Sequence, residues 1–347
     1  MKVNKNNSAT TVLITGGAGY VGSILSGHLL SHGYNVRIFD QMYFGEHPPK
    51  AASALLVTRK GDIRKPPPDL FNGVTAVVHL AGLSNDPTAE FDPAANHAIN
   101  TLATERLASL AKRAGVRRFI FASSCSIYDL GTEHGDAVRT EESRVSPVSP
   151  YPLSKYKAEQ ALLRLHSKAF TVVILRKGTV YGLSPRMRYD LIVNTMVRDA
   201  LRFGRLTVFC KGRQWRPLVS VEDVAEAYRL ALVAPTKRIG GHIINISLEN
   251  FLVKDVAEAV QKVFKMRFAT DIDIRYEQDN RKDRSYRVET EKATKLLLFR
   301  PRQTLTVAAA NMVATIQTQK TLQQFDNPIF YNIKWMERFF GKKVVDV

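Results

Sequence analysis

The sequence lacks most of what would mark a secreted, membrane-spanning or metal-built protein. Only two of its 347 residues, Cys125 and Cys210, are cysteines. Two thiols make neither a disulfide framework nor a multi-cysteine metal site, and they suit a reducing compartment. No stretch approaches the roughly 18 consecutive apolar residues that a spanning helix needs. The opening residues, MKVNKNNSAT, are polar, and the run Val12-Leu13-Ile14 meets glycines at once, too short for a secretory signal. A soluble, cytoplasmic protein is expected. Glycine and proline, at 20 and 15 residues, sit near ordinary usage, which excludes collagen-like and linker-dominated chains.

What is present is a core and a charge. A hydrophobic content of 45% supports one large domain or two modest ones at this length. Fifty Lys and Arg against 32 Asp and Glu give +18, which suits an anionic partner. The excess is spread over both halves, with no basic tail and no RNP-like aromatic motif. Nucleic acid, a membrane surface and a phosphorylated metabolite would each suit that charge; no motif supports nucleic-acid binding, and neither nucleic acid nor membrane is the expected partner.

Short apolar runs at 11–15, 35–40, 54–58, 76–80, 118–123 and 170–176 alternate with helical stretches at 20–31, 99–114 and 151–167. That alternation implies right-handed crossovers and a doubly wound parallel α/β sheet. After Tyr181 the pattern becomes a smaller α+β region: helices at 191–203, 222–232, 253–264 and 290–297, strands at 207–210, 216–221, 242–247 and 271–276. The expected organisation is a Rossmann-type domain over 8–182, with 216–247 returning to it. A substrate-binding region takes 183–215 and 248–310, and an extension takes 311–347. Its aromatic stretch 329–340 reads as a docking helix or an interface.

The sharpest motif is T-G-G-A-G-Y-V-G, which sets Gly16, Gly19 and Gly22 between a strand and a helix. Glycines there allow a tight turn and let backbone N–H groups approach a pyrophosphate at the helix N-terminus. Asp40 ends the next strand, 24 residues after Gly16, where a carboxylate binds ribose hydroxyls and repels a 2′-phosphate. That favours NAD over NADP. Asp62 is either an adenine contact or a solvated loop acid. Ser123 and Ser124 end the fifth strand, and Tyr151 and Lys155 lie at i and i+4 on one helix face. An ammonium beside a phenol is expected to lower its pKa from about 10, making Tyr151 a base for a substrate hydroxyl.

These residues, with HLAG (79–82), FASSCSIY (121–128), YPLSK (151–155) and WRPLVSVEDVA (215–225), resemble the extended short-chain dehydrogenase/reductase family. More narrowly, they resemble its NAD-dependent epimerase/dehydratase group acting on nucleotide sugars. The likeness runs from about residue 11 to 305. It implies a pyrophosphate loop at Gly16, Gly19, Tyr20, Val21 and Gly22, with Asp40 on the ribose. It also implies further NAD contacts from Asp62, Ile63, Leu80, Ala81, Gly82, Asn100 and Ser123. By the same likeness Ser124 and Tyr151 are catalytic, and Lys155 binds the cofactor and tunes the tyrosine. Arg216 would hold the substrate diphosphate, helped by Arg284, with Ser84, Ser124 and Asn194 as further substrate contacts. Family habit implies a homodimer.

The departures narrow the reaction. The family's 4,6-dehydratases carry an Asp-Glu pair just after the catalytic Thr, where this chain has Cys125 and Ser126. Without those carboxylates the elimination lacks its acid and base, which argues against a dehydratase and against a decarboxylase using the same glutamate. Cys125 reads as a small buried residue. Asp129 replaces a usual glycine and Thr179 a usual asparagine. Arg202, Arg205, Lys211, Arg213 and Arg216 form one basic cluster, with Arg186 and Arg188 a second and Arg281, Arg284 and Tyr286 a third. His79 reads as a satisfied sheet-end residue. His28 and His32 have no evident third ligand, so no metal is expected. The expected activity is NAD-dependent epimerisation of a nucleotide-diphosphate sugar through a 4-keto intermediate. The alternative is a 4-keto-sugar reductase, and a non-enzymatic NAD- or RNA-binding protein comes third.

Overall fold

Apolar runs bounded by glycine, proline and charge become strands close to where the sequence places them. The computed structural model describes residues 10–46, 54–129, 137–278 and 284–341. Its first half holds β1 (Thr11–Thr15), α1 (Tyr20–Ser31), β2 (Asn35–Asp40), β3 (Leu56–Lys60), β4 (Ala76–His79), α2 (Asp86–Phe91), α3 (Pro93–His97), α4 (Thr104–Arg113), β5 (Arg118–Ser124), β6 (Val138–Arg139), α5 (Pro150–Leu165), β7 (Thr171–Lys177) and β8 (Thr179–Tyr181). The second half adds α6 (Ile192–Phe203), β9 (Arg205–Phe209), β10 (Trp215–Ser220), α7 (Val221–Val233), α8 (Thr236–Ile239), β11 (Ile243–Ile246), β12 (Glu249–Leu252), α9 (Val253–Phe268), β13 (Asp273–Glu277), β14 (Arg287–Val288), α10 (Glu291–Leu297), α11 (Leu305–Thr318) and α12 (Asn332–Phe340).

Seven strands make one parallel sheet in the order β11-β7-β5-β4-β1-β2-β3. Both faces are covered, which is why its strands read as continuous apolar runs. Side chains alternate across the pleat. Val12 and Ile14 enter one core with Leu25 of α1 and Val224 of α7, while Leu13 enters the other with Leu107 of α4 and Leu162 of α5. The connections run in opposite directions from β1, so its carboxyl end beside β4 is a topological switch point. Smaller sheets, β12-β10-β8, β13-β9 and β14-β6, flank it.

Several boundaries differ from expectation for physical reasons. The third strand begins two residues later than expected. It is an edge strand whose side chains are almost all exposed, so no burial period marks its ends. The expected helix 99–114 is a π-helical turn, Ala98–Ala103, followed by α4. Within 216–247, β11 joins the main sheet, but β10 pairs with β8 and β12 instead. The boundary drawn at 311 falls inside α11, whose Leu305, Ala309, Met312 and Ile316 are buried at helical spacing. Arg281 lies outside the described residues.

His28 and His32 do have a third group nearby. Glu226 on α7 brings an oxygen 2.8 Å from His28 Nε2, but Arg229 binds both of its carboxylate oxygens, at 2.6 and 2.7 Å. Among the described residues no helix is long and apolar enough to cross a membrane.

Candidate active site

The carboxyl ends of β1, β2, β4, β5 and β7 open into one cleft of about 340 Å³, the position where doubly wound sheets bind ligands. The glycine loop forms its floor at β1. Gly16 has φ +74°, and a Cβ there would stand 2.6 Å from the Ala81 nitrogen. One on Gly22 would stand 2.6 Å from the Gly17 Cα. Only glycine lets this loop close against β4 and α1. Asp40 then locks it: one carboxylate oxygen accepts from the Ala18 N–H at 3.0 Å, the other from the Met42 N–H at 2.8 Å. Gly19, Tyr20, Val21, Ile63, Leu80, Ala81 and Gly82 line the same cleft. Asp62 lies there too, but Arg64 grips its carboxylate at 2.7 Å. Burial raises its pKa, and the Arg64 hydrogen bonds and charge outweigh that and hold it below the usual range.

Asn100 stands behind the cleft. Fully buried in the π-helical turn, it accepts from the Leu83 N–H and donates to the Leu83 carbonyl, both at 2.8 Å. It shapes the 80–84 segment rather than facing a ligand. Ser123 lines the cleft, but its hydroxyl turns away to donate to Glu159 at 2.5 Å, inside a buried network in which Glu159 pairs with Arg176 at 2.6 Å. His79 fills its expected role, held by Thr15 at 2.6 Å and Thr104 at 2.8 Å. Burial, then the Lys155 charge, pushes it down to about 3, so it stays neutral.

Ser124, Tyr151 and Lys155 converge at β5 and α5. Ser124 partly offsets the burial of the Tyr151 phenol and is itself set by Ser126, whose backbone N–H donates to the Ser124 hydroxyl at 3.1 Å. The lowered phenol expected from Lys155 is not what the structure shows. Burial pushes Tyr151 up to about 12, Asp86 adds to the rise, and Arg188 and Ser124 only partly oppose it. The ammonium lies 5.9 Å from the ring centroid. It is itself pushed down to about 7, by burial first and by Lys177 second.

The substrate side differs more from expectation. Arg216 does not line the cleft; it donates to the Trp215 carbonyl at 2.9 Å and to the Arg284 carbonyl. None of the cluster from Arg202 to Arg216 lines it. Arg284 does, ion-paired with Asp86 and, at 3.3 Å, with Asp129. Asn194 is a brace: its amide donates to the Tyr20 hydroxyl at 3.1 Å and its oxygen accepts from the Gly182 N–H at 3.0 Å. Ser84 lines the cleft but is held by Arg188 at 3.3 Å and Asn332 at 2.8 Å.

Two contributions escaped the sequence reading. Asn332 and Met336 of α12 line the cleft, and Trp335 pins that helix by donating to the Tyr43 carbonyl at 2.5 Å. Lys177 lines it from the end of β7. Its place, at the carboxyl end of a central strand, was the available signal.

A loop that closes only with glycine and a Ser–Tyr–Lys group at one sheet edge place the protein among short-chain dehydrogenase-like enzymes. The model of the NAD dependent epimerase/dehydratase family matches residues 12–247, and the chain belongs to that family, whose cofactor is NAD. The glycine cradle and the Asp40 carboxylate fit that cofactor. A UDP-glucose epimerase of uncharacterised role from Bacillus subtilis is 30% identical over 250 residues, 68% of this chain and 76% of that one. UDP-glucuronic acid decarboxylase 4 of Arabidopsis thaliana is 30% identical over 72% of this chain and 56% of its own. Among solved structures, MoeE5 in complex with UDP-glucuronic acid and NAD is 28% identical, with a TM-score of 0.76, covering 89% of this chain and all of its own.

Proposed function

We propose that the protein is an NAD-dependent nucleotide-sugar epimerase acting through a transient 4-keto sugar. The observation that carries this reading is the meeting of Ser124, Tyr151 and Lys155 with the glycine loop in one cleft, with no carboxylate at 125 or 126 for elimination. When bound, oxidised NAD supplies the hydride acceptor and a positive ring that loosens the phenol's hold on its proton. Tyr151 takes the proton of the C4 hydroxyl and returns it to the re-reduced sugar. Ser124 holds the same oxygen, and Lys155 supplies positive charge beside the phenol.

Arg284 and Arg188 are oriented by Asp86 and Asp190, with Arg188 and Asp190 2.9 Å apart. Each guanidinium keeps donors for phosphate or sugar oxygens. Tyr151→Phe should lower turnover of the true nucleotide sugar by about 100-fold or more; undiminished turnover would sink the mechanism. Freshly purified protein should release stoichiometric NAD(H) on denaturation. Free exchange of the cofactor would favour a net reductase of 4-keto sugars instead.

The same reading places the enzyme in the cytoplasm as a homodimer through α4 and α5. Leu102, on the π-helical turn leading into α4, is 53% exposed, which supports an apolar contact there. Sedimentation at the mass of a monomer would refute that part.

A further inference from the structure

Lys177 has no task in the mechanism above, yet it lines the same cleft as Ser124, Tyr151 and Lys155. Strand register sets it directly beside Ser124. Its ammonium donates to the Ser123 carbonyl at 3.0 Å, which leaves two N–H donors. The nearby acids are committed elsewhere: Asp86 to Arg284, Asp190 to Arg188 and Glu159 to Arg176. Among the described residues neither Lys177 nor Lys155 forms an ion pair. The reacting end of the cleft thus holds two lysines, while Asp86 and Glu159, the acids whose charge is felt by Tyr151 and Lys155, are each paired with an arginine. Burial pushes Lys177 down to about 8, and its field helps to push Lys155 down to about 7. An aliphatic side chain would close the end of β7 without this desolvation cost.

We propose that Lys177 is a specificity-determining residue that binds a carboxylate on the sugar, so that the preferred substrates are nucleotide uronates rather than neutral nucleotide sugars. The proposal rests on the nucleotide-sugar reading and deepens it. With the C4 hydroxyl at Tyr151 and Ser124, the diphosphate on C1 lies across the sugar ring. C3 and C5 both flank C4, and C5 carries the exocyclic carbon that is a carboxylate in a uronate, so that group lies at the same end of the cleft as Ser124 and its strand neighbour Lys177. A carboxylate there supplies negative charge through a charge-assisted hydrogen bond.

The test is calorimetric titration of the NAD-loaded protein with UDP-glucuronate against UDP-glucose, and with GDP-mannuronate against GDP-mannose. At least one uronate should bind about tenfold more tightly than its neutral partner, a difference of about 1.4 kcal/mol. Lys177→Met should bind the two members of that pair equally, and Lys177→Arg should keep the preference. Lys177→Gln serves as the neutral variant if the methionine protein does not fold. Equal affinity of the wild type for uronate and neutral sugar, or a preference that survives the neutral variants, overturns the proposal and leaves the nucleotide-sugar reading standing. Failure of all four nucleotide sugars to bind overturns both.

Discussion

Lys155 should make the protein less stable than it would be without it, and the size of that effect follows from its surroundings. The side chain is 4% exposed and has no ion-pair partner among the described residues. Burial first, and Lys177 second, bring its pKa from 10.5 to about 7. Below pH 7 both folded and unfolded chains hold the proton, and the folded chain bears the full cost of a buried charge. Between pH 7 and 10.5 the unfolded chain binds more protons than the folded one, so stability rises with pH. Above that range the cost is gone. At about 1.36 kcal/mol per tenfold the interval is on the order of 5 kcal/mol. Because Lys177 is responsible for part of it, a working figure is about 3 kcal/mol.

Lys155→Met keeps most of the volume and removes the charge. In urea unfolding of nucleotide-free protein, followed by tryptophan fluorescence, the variant should be more stable than wild type at pH 6, though catalytically crippled. The gap should narrow by about 2 kcal/mol between pH 6 and pH 9. A variant no more stable at pH 6, or a gap that does not change with pH, would refute the reasoning.

Two further predictions concern the frame of the site. His79 is neutral when folded, with its pKa pushed to about 3 by burial. The unfolded chain therefore binds the extra proton as pH falls below 6.5, and stability drops by about 2 kcal/mol between pH 7 and pH 5. Urea midpoints should show that limb, and His79→Phe should lack it. Asn332→Ala removes the acceptor 2.5 Å from Arg186 and the donor to Ser84, leaving a nearly buried guanidinium short of a partner. It should cost about 1.5–3 kcal/mol and weaken NAD retention, measured by denaturant titration and by cofactor release.

The departures in the site share one cause. Arg216 and Arg284 look interchangeable along the chain, and the sequence favours the first for the diphosphate. In the fold Arg216 is spent on the Arg284 carbonyl, while Arg284 reaches the cleft between Asp86 and Asp129. Asn100 and Asn194 lie near the right elements, but their amides are consumed by backbone groups of Leu83, Gly182 and Arg188. A motif gives an element and a position. It does not give the direction of a side chain whose partners lie on other elements.

Local chemistry was enough for the parallel sheet, the glycine loop, Asp40 and the Tyr151–Lys155 pair. Each depends on residues close in sequence: apolar runs of strand length, glycines that alone permit a turn, and a Tyr and Lys one helical turn apart. The folded chain settled what depends on distance and solvent. It sent β10 out of the main sheet and brought Asn332 from the far end of the chain onto Ser84. It also buried Tyr151 deeply enough to raise its phenol rather than lower it. Burial and long-range hydrogen bonding are properties of the packed assembly of elements, and no single stretch of sequence carries them.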